Sequence, residues 1–172
     1  CRVVAACPLD HWLTTSASLS PPENSGMVSA GALSAGCLFT QQLALAKERA
    51  ETAGLSDRID FRLTDYRDLN EPFDRIVSVG MFEHVGVHHY DEFFKKVNAL
   101  MADDGLMVLH SIGHMSPPGM ASAWLRKYIF PGAYSPALSE VFTVIEQNQL
   151  WCTDLEFLRV HYATTLKHWG AR

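Results

Sequence analysis

Long hydrophobic runs are lacking from this 172-residue chain, and none approaches the roughly 20 residues that a membrane-spanning helix needs. A basic segment followed by an apolar stretch, the mark of a secretory signal, is also missing. Positive charge is not in excess: the net charge is −5, which argues against nucleic acid as a partner. These absences favour a cytoplasmic globular protein. The 48% hydrophobic content is enough for the core of one domain.

Paired cysteines and metal-ligand spacings are lacking as well. The four cysteines are scattered and form no Cys-x-x-Cys pair, so free thiols in a reducing cytoplasm are expected. Five histidines lie between residues 84 and 114, but their spacings match no zinc pattern. We therefore predict no metal site. The five are His84, His88, His89, His110 and His114.

Charge is scarce over the first 40 residues, which carry only Arg2, Asp10 and Glu23. Residues 14–36 are rich in Ser, Ala, Gly and Pro and show neither helical period nor strand alternation. Coil, or weak and irregular structure, is predicted there. The chain begins with Cys1 and not with Met, so we expect it to be a fragment.

From residue 41 onward, helical and strand patterns alternate. Strong helix formers fill residues 42–53, and apolar spacing predicts a helix over 90–101. Asp103, Asp104 and Gly105 predict a turn. This alternation favours an α/β fold with a mostly parallel sheet covered on both faces by helices. The other predicted helices are 121–127, 135–148 and 161–169, and the predicted strands are 59–63, 74–80, 106–112 and 151–160.

A carboxylate and an imidazole follow the apolar strand at 74–80. Glu83 stands there among Met81, Phe82 and Val85. Ligands of open α/β sheets lie beyond the carboxyl ends of the strands, so Glu83 is a candidate active-site acid. The alternative is that Glu83 caps a helix or is merely solvated. From this segment alone both interpretations stay open.

The next strand ends with His110, Ser111 and Ile112. Adjacent parallel strands bring their carboxyl ends together, so Glu83 and His110 are expected to face one cavity and to hold a proton carrier or a small oxyanion. A single histidine at the end of an apolar strand is more often a hydrogen-bonded core residue than a functional one, and that alternative applies to His110. Asp65 and Tyr66 end the strand at 59–63, where an acid beside an aromatic ring suits a nucleobase. Asp65 is equally suited to a turn.

Several stretches between residues 42 and 169 resemble the cyclopropane-fatty-acyl-phospholipid synthase family, whose members are related to the mycolic acid cyclopropane synthases. The two most specific are Phe-Glu-His-Val-Gly at 82–86 and Tyr-Ile-Phe-Pro-Gly at 128–132. The resemblance implies a Rossmann-like methyltransferase fold that uses S-adenosylmethionine. It implies methylene transfer to a cis double bond of an unsaturated phospholipid acyl chain. It also implies a cytoplasmic enzyme in peripheral contact with the membrane surface, with a homodimer as one possible assembly.

Site roles come with the resemblance, residue by residue. By position, Glu83, His110 and the backbone of Ile112 would hold a bicarbonate that acts as the base. Asp65 and Tyr66 match the contacts to the adenine side of S-adenosylmethionine, and Gln42 matches a position beside the same cofactor. The alternative functions are C-methylation of another lipid and a catalytically inactive fragment.

The resemblance stops at both ends of the chain. The first strand of the family and its glycine-rich loop should precede Gln42, and residues 1–40 supply neither, so the sheet is expected to be incomplete. The break near residue 41 is what translation in a wrong frame would produce. We therefore expect an irregular or frame-shifted segment at 1–40 and a partial methyltransferase domain at 41–172. The family also continues beyond Trp169, so truncation is expected there too.

Overall fold

The computed structural model describes the backbone of residues 3–6, 33–36, 40–129 and 134–171. Five strands in this part of the chain form one parallel sheet in the order β3-β2-β1-β4-β5. The chain therefore steps outward from β1 to β3 and returns on the other side of β1 to form β4 and β5. The strands are β1 Val3–Ala6, β2 Leu33–Gly36, β3 Ile59–Arg62, β4 Phe73–Val79 and β5 Met101–His110.

Five α-helices accompany the described strands: α1 Thr40–Thr52, α2 Phe82–Val85, α3 Tyr90–Leu100, α4 Leu138–Gln147 and α5 Arg159–Gly170. Shorter helical turns are the 3₁₀ segments Ser56–Arg58, Tyr66–Asp68 and Val87–His89 and the π-helix Leu125–Ile129. The predicted mostly parallel α/β arrangement is confirmed. α1, α3, α4 and α5 lie where helical patterns were predicted, within a few residues at each end.

The prediction that the first strand is missing is wrong. Val3–Ala6 pairs in parallel with both β2 and β4, at the centre of the sheet. Leu33–Gly36 lies inside the stretch predicted to be irregular, yet it is a strand. Both segments are runs of four small or aliphatic residues. A strand with a parallel neighbour on each side does not need to alternate polar and apolar residues, so an alternating pattern does not reveal it. The rest of the stretch 14–36 lies outside the described residues.

The core lies between α3 and the β4 side of the sheet. The buried face of α3 is spaced i, i+3, i+4, i+7 and i+10, as its sequence predicts. Phe82 has no exposed surface, and its ring centroid lies 4.3 Å from that of Tyr90 and 5.2 Å from that of Phe93. Phe82 thereby fixes α2 and the residue after it, Glu83. The buried core residues are Phe73, Ile76, Met81, Phe82, Tyr90, Phe93, Phe94, Val97 and Leu100.

Two local predictions after residue 100 are wrong. Asp103, Asp104 and Gly105 do not separate a helix from a strand, because β5 already begins at Met101 and bulges over these residues. A bulge accommodates extra residues without ending the strand, and turn-forming residue types do not distinguish the two cases. Residues 151–158 form no strand in the described structure. They are exposed, with 92% of the Trp151 surface accessible, so their apolar side chains lack the burial that a strand of a covered parallel sheet has.

Candidate active site

β4 and β5 end side by side at the carboxyl edge of the sheet. Val79 pairs with His110 in the parallel register. Just beyond β4, Gly80 has a φ of 63°, a conformation that glycine adopts without strain. Its N–H donates to the carbonyl oxygen of His110 at 3.0 Å. The chain therefore turns sharply out of β4 and delivers α2 to the carboxyl edge of the sheet.

Glu83 is held at this edge by a contact from the neighbouring strand. The backbone N–H of Ile112 donates to Glu83 Oε1 at 2.7 Å, which is short, as expected for a charge-assisted hydrogen bond. Glu83 Oε2 is buried and has no hydrogen-bond partner among the described residues. The backbone of α2 is also fixed, since the N–H of Tyr134 donates to the Glu83 carbonyl at 3.1 Å. One carboxylate oxygen is thus anchored and the other is left to accept from a further donor.

His110 ends β5 on the same side of that strand as Leu106 and Val108, and all three are exposed. The Glu83 carboxylate is bonded to the Ile112 N–H and not to the His110 imidazole. The structure therefore brings Glu83 and Ile112 into direct contact and places His110 two residues before Ile112. His110 is not the buried core histidine of the alternative interpretation.

The resemblance assigns the backbone of Ile112 to a bicarbonate site, and this assignment stays a prediction. In this structure the N–H of Ile112 donates to Glu83. The Ile112 side chain is 41% exposed. In this structure Ile112 therefore orients the carboxylate, and Glu83 Oε2 is the carboxylate oxygen without a hydrogen-bond partner among the described residues.

Asp65 lies three residues beyond β3, as N-cap of the 3₁₀ segment Tyr66–Asp68. Its Oδ1 accepts from the Arg67 N–H at 2.9 Å, and the Arg67 guanidinium reaches both carboxylate oxygens at 3.0 and 2.7 Å. The hydrogen bonds from Arg67 hold the pKa of Asp65 below its ordinary value. Asp65 is therefore ionised and is bonded to its own turn.

Tyr66 and Gln42 follow other strands of the sheet: Tyr66 lies after β3, and Gln42 lies after β2. The Tyr66 ring is half-buried and meets Phe93 edge-on, with centroids 5.5 Å apart and planes at 69°. Burial raises the pKa of the Tyr66 hydroxyl. Tyr66 thus packs partly against the core and does not stand free as a stacking platform. Gln42 lies in the first turn of α1, the helix that follows the carboxyl end of β2.

Glu140 and Tyr90 were not identified from the sequence as candidate site residues. Tyr134 Oη donates to both carboxylate oxygens of Glu140, at 2.9 and 3.0 Å, and the Ala137 N–H also donates to Glu140. Tyr90 entered the sequence analysis only as the first residue of the helix predicted over 90–101, yet its hydroxyl is buried. A tyrosine at a core position carries a polar end that must be accounted for, and that was the signal available.

Metal-ligating clusters and membrane-spanning helices are absent from the described residues. No group of three or more His, Cys, Asp or Glu side chains there could hold a metal ion. No helix in the same part of the chain is long and apolar enough to cross a bilayer. Cys152 is a free, exposed thiol, and the other cysteines lie outside the described residues.

The fold and the edge together define a class of protein. The sheet is open and parallel, and its strand order switches sides between β1 and β4. Such a sheet, with polar groups at its carboxyl edge, is the Rossmann-like arrangement of proteins that bind nucleotide cofactors. The family model described as mycolic acid cyclopropane synthetase matches residues 31–172. The chain belongs to this family, and it has the fold of the S-adenosylmethionine-dependent methyltransferases.

Known relatives agree with this assignment. The chain is 39% identical over 135 residues to cyclopropane-fatty-acyl-phospholipid synthase of Escherichia coli K12, covering 78% of this chain and 34% of that protein. It is 37% identical over 140 residues to a probable fatty acid methyltransferase of Pseudomonas putida, covering 77% and 36%. The solved mycolic acid cyclopropane synthase CmaA1, complexed with SAH and CTAB, superposes with a TM-score of 0.79 at 25% identity, covering 98% and 61%. The chain thus spans about a third of the length of the Escherichia coli and Pseudomonas putida relatives.

Proposed function

We propose that this chain is part of an enzyme that transfers a methylene group from S-adenosylmethionine to a cis double bond of an unsaturated phospholipid acyl chain. One observation supports the proposal in addition to the family: Glu83 is anchored by Ile112 at the carboxyl edge, and its Oε2 is buried without a hydrogen-bond partner among the described residues. A buried carboxylate oxygen without a donor suits a small guest that carries a proton. Bicarbonate carries a hydroxyl group that could donate a hydrogen bond to Oε2.

The proposed chemistry explains why these residue types are needed. S-adenosylmethionine supplies a methyl group activated by the sulfonium, which a weakly nucleophilic alkene requires. When the carbon–sulfur bond breaks and the carbon–carbon bond forms, a positive charge develops on the acyl chain. One proton must then leave the transferred carbon so that the ring closes. Glu83, aided by His110, would hold the proton acceptor in place, and the apolar surroundings of α2 would keep water away.

The cofactor would lie along the same edge of the sheet, with the Asp65 and Tyr66 turn on its adenine side and Gln42 nearby. The Asp65 carboxylate keeps acceptor capacity beyond its bonds to Arg67, because two carboxylate oxygens offer about four lone-pair sites. Support also comes from CmaA1, which was solved in complex with SAH. Substituting Asp65 should weaken cofactor binding without affecting the Glu83 contact.

Contact with a membrane surface is part of the same proposal, since the acyl chains lie there. The loop and π-helix after the candidate site expose large apolar side chains at Met115, Met120, Trp124 and Tyr128. The sequence from residue 105 to 139 contains no Asp or Glu, while Arg126 and Lys127 lie beside these aromatic rings. An anionic lipid surface attracts such a segment and accommodates its apolar side chains. A homodimer stays a prediction.

A second candidate function is methylation of a fatty acyl chain without ring closure. The similarity to the probable fatty acid methyltransferase of Pseudomonas putida favours it. Loss of the proton from a different carbon would leave a methyl-branched or methylene product in place of the ring. A catalytically inactive fragment is the third possibility, supported by the missing glycine-rich loop in residues 1–40.

The test begins with calorimetry of S-adenosylmethionine and S-adenosylhomocysteine binding to the 172-residue chain. Vesicles of unsaturated phosphatidylglycerol are then incubated with the chain and S-adenosylmethionine, and the acyl chains are analysed by mass spectrometry and NMR. A cyclopropane product supports the first function, and a methyl-branched product supports the second. Cofactor binding without any lipid product, or no binding at all, supports the inactive fragment.

Glu83→Gln tests the role of the site. Removing one preorganised group of a catalytic site commonly lowers turnover by about 10²–10³-fold. We expect that loss for Glu83→Gln, with an unchanged cofactor affinity and an unchanged urea midpoint. The matched control is Glu146→Gln on the exposed side of α4, which should keep full turnover. Equal turnover of both variants would remove Glu83 from the mechanism.

A further inference from the structure

Asp65 and Arg67 form a two-pronged ion pair in the turn that follows β3. Arg67 Nε donates to Asp65 Oδ1 at 3.0 Å, and Arg67 Nη2 donates to Asp65 Oδ2 at 2.7 Å. The backbone N–H of Arg67 also donates to Oδ1, at 2.9 Å. The planar carboxylate is therefore held in one orientation, which a single contact would leave free to rotate.

These bonds leave the Asp65 carboxylate with one open acceptor position. Its two oxygens offer about four lone-pair sites. The described hydrogen bonds fill two of these sites on Oδ1 and one on Oδ2, so the remaining site is on Oδ2. The hydrogen bonds from Arg67 hold the pKa of Asp65 below its ordinary value, so the carboxylate is ionised and only accepts. Because the Asp65 side chain is 35% exposed, a ligand that carries a donor can reach it.

The stability of the turn gives little reason for the guanidinium. The Arg67 side chain is 54% exposed, and an ion pair at such a surface contributes little to folding. The turn is closed by its backbone, since the Asp68 N–H donates to the Asp65 carbonyl at 3.0 Å and the Leu69 N–H donates to the Tyr66 carbonyl at 3.3 Å. The Arg67 guanidinium is therefore not needed to close the turn, but it fixes the carboxylate.

We propose that Arg67 is a positioning residue for the cofactor, because it orients Asp65 so that Oδ2 accepts a hydrogen bond from the exocyclic amino group of adenine. This role rests on the proposed function, which places Asp65 on the adenine side of S-adenosylmethionine. A carboxylate that is already oriented need not be ordered when the ligand binds, which lowers the entropic cost of binding. Arg67 acts through Asp65 and not through a contact of its own with the cofactor.

The test is a double-mutant cycle, read by calorimetry of S-adenosylhomocysteine binding to the 172-residue chain. Arg67→Ala keeps the backbone N–H that donates to Oδ1 and removes only the guanidinium. It should weaken binding about three- to tenfold, because the Asp65 side chain must then be ordered on binding. In the Asp65→Asn background, Arg67→Ala should cause no further loss. Arg67→Lys keeps the charge without the two-pronged contact and should restore part of the affinity.

Arg62→Ala is the matched control. Arg62 pairs with Asp60 at the same spacing of two residues and also with Glu71, so this variant removes an equal charge nearby without touching Asp65. Its affinity for S-adenosylhomocysteine should equal that of the parent.

Two outcomes would overturn the role of Arg67 alone. One is binding by Arg67→Ala that is as tight as that of the parent, or tighter. The other is an equal loss in the Asp65→Asn background, since Arg67 would then act without Asp65. A parent chain that binds no S-adenosylhomocysteine would instead overturn the cofactor site of the proposed function and the role of Arg67 with it, so the two failures differ in the behaviour of the parent.

Discussion

Two carboxylates follow two strands of the same sheet, and they are held in opposite ways. Asp65, after β3, is bonded to Arg67, two residues further along the chain. Glu83, after β4, is bonded to Ile112, 29 residues away and on another strand. Asp65 is placed by its own turn. Glu83 is placed by the pairing of β4 with β5 and by the aromatic core under α2.

This difference predicts which of the two carboxylates is displaced by substitutions at distant residues. A turn closed within three residues depends on few other contacts, and substitutions elsewhere should hardly disturb Asp65. The position of Glu83 depends on Phe82, on the register of Val79 against His110 and on the backbone at Ile112. A carboxylate meant to act on a guest needs this kind of support, because a small displacement of a catalytic group costs much of its effect.

The largest expected effect comes from removing the aromatic support of Glu83. Phe82→Ala should lower the free energy of unfolding by about 3–5 kcal/mol, because Phe82 has no exposed surface and contacts three other rings. Urea unfolding followed by circular dichroism measures it. Phe157→Ala is the control, since Phe157 is 58% exposed and should change stability by less than about 0.5 kcal/mol. Similar midpoints for the two variants would contradict the packing described for Phe82.

A smaller effect is expected from removing the donor to Glu83. Ile112→Pro deletes the N–H that donates to Oε1, and a hydrogen bond to a charged group contributes about 1.5–3 kcal/mol. Urea unfolding should show a loss in this range. Ile112→Ala keeps the N–H and removes only a side chain that is 41% exposed, so its loss should be smaller. If alanine costs as much as proline, the side chain and not the N–H supports the site.

The smallest effect is expected at the other carboxylate. Arg67 holds the folded-state pKa of Asp65 below its unfolded value of about 3.9. The stabilisation is therefore present above about pH 3.9 and is lost as the pH falls through the lower folded-state pKa. Asp65→Asn should cost less stability at pH 7 than Ile112→Pro does, and the difference from the parent should vanish in acid. Thermal melts across this pH range measure it, and a pH-independent difference would show that the charge on Asp65 contributes nothing.

Most of the helices and strands from residue 41 onward follow from local patterns. The spacing of Phe93, Phe94 and Val97 predicts the buried face of α3, and the burial of these side chains agrees. The β5 bulge and the exposed segment at 151–158 did not follow, since turn residues and apolar residues serve more than one structure. Val3–Ala6 was missed because a short central strand leaves little pattern in a sequence.

The division of the chain near residue 40 stays a prediction. The charge distribution supports it, while the family match begins earlier, at residue 31. Reading the coding DNA in the other two frames tests it directly. A glycine-rich loop of the family type in one of those frames would support a frame error in residues 1–40, and its absence from both would contradict it.

The amino-acid order by itself determined most of the helices and strands from residue 41 onward, the family, and the positions of Glu83, His110, Asp65 and Tyr66 at or just beyond strand ends, because these depend on residue types and short spacings. Tertiary structure alone decided that Ile112 donates to Glu83 and that the Tyr90 hydroxyl is buried. The donor to a carboxylate depends on strand register, side-chain rotamers and the packing of a shared core. Those are set by contacts between distant residues, which no local pattern in a single sequence records.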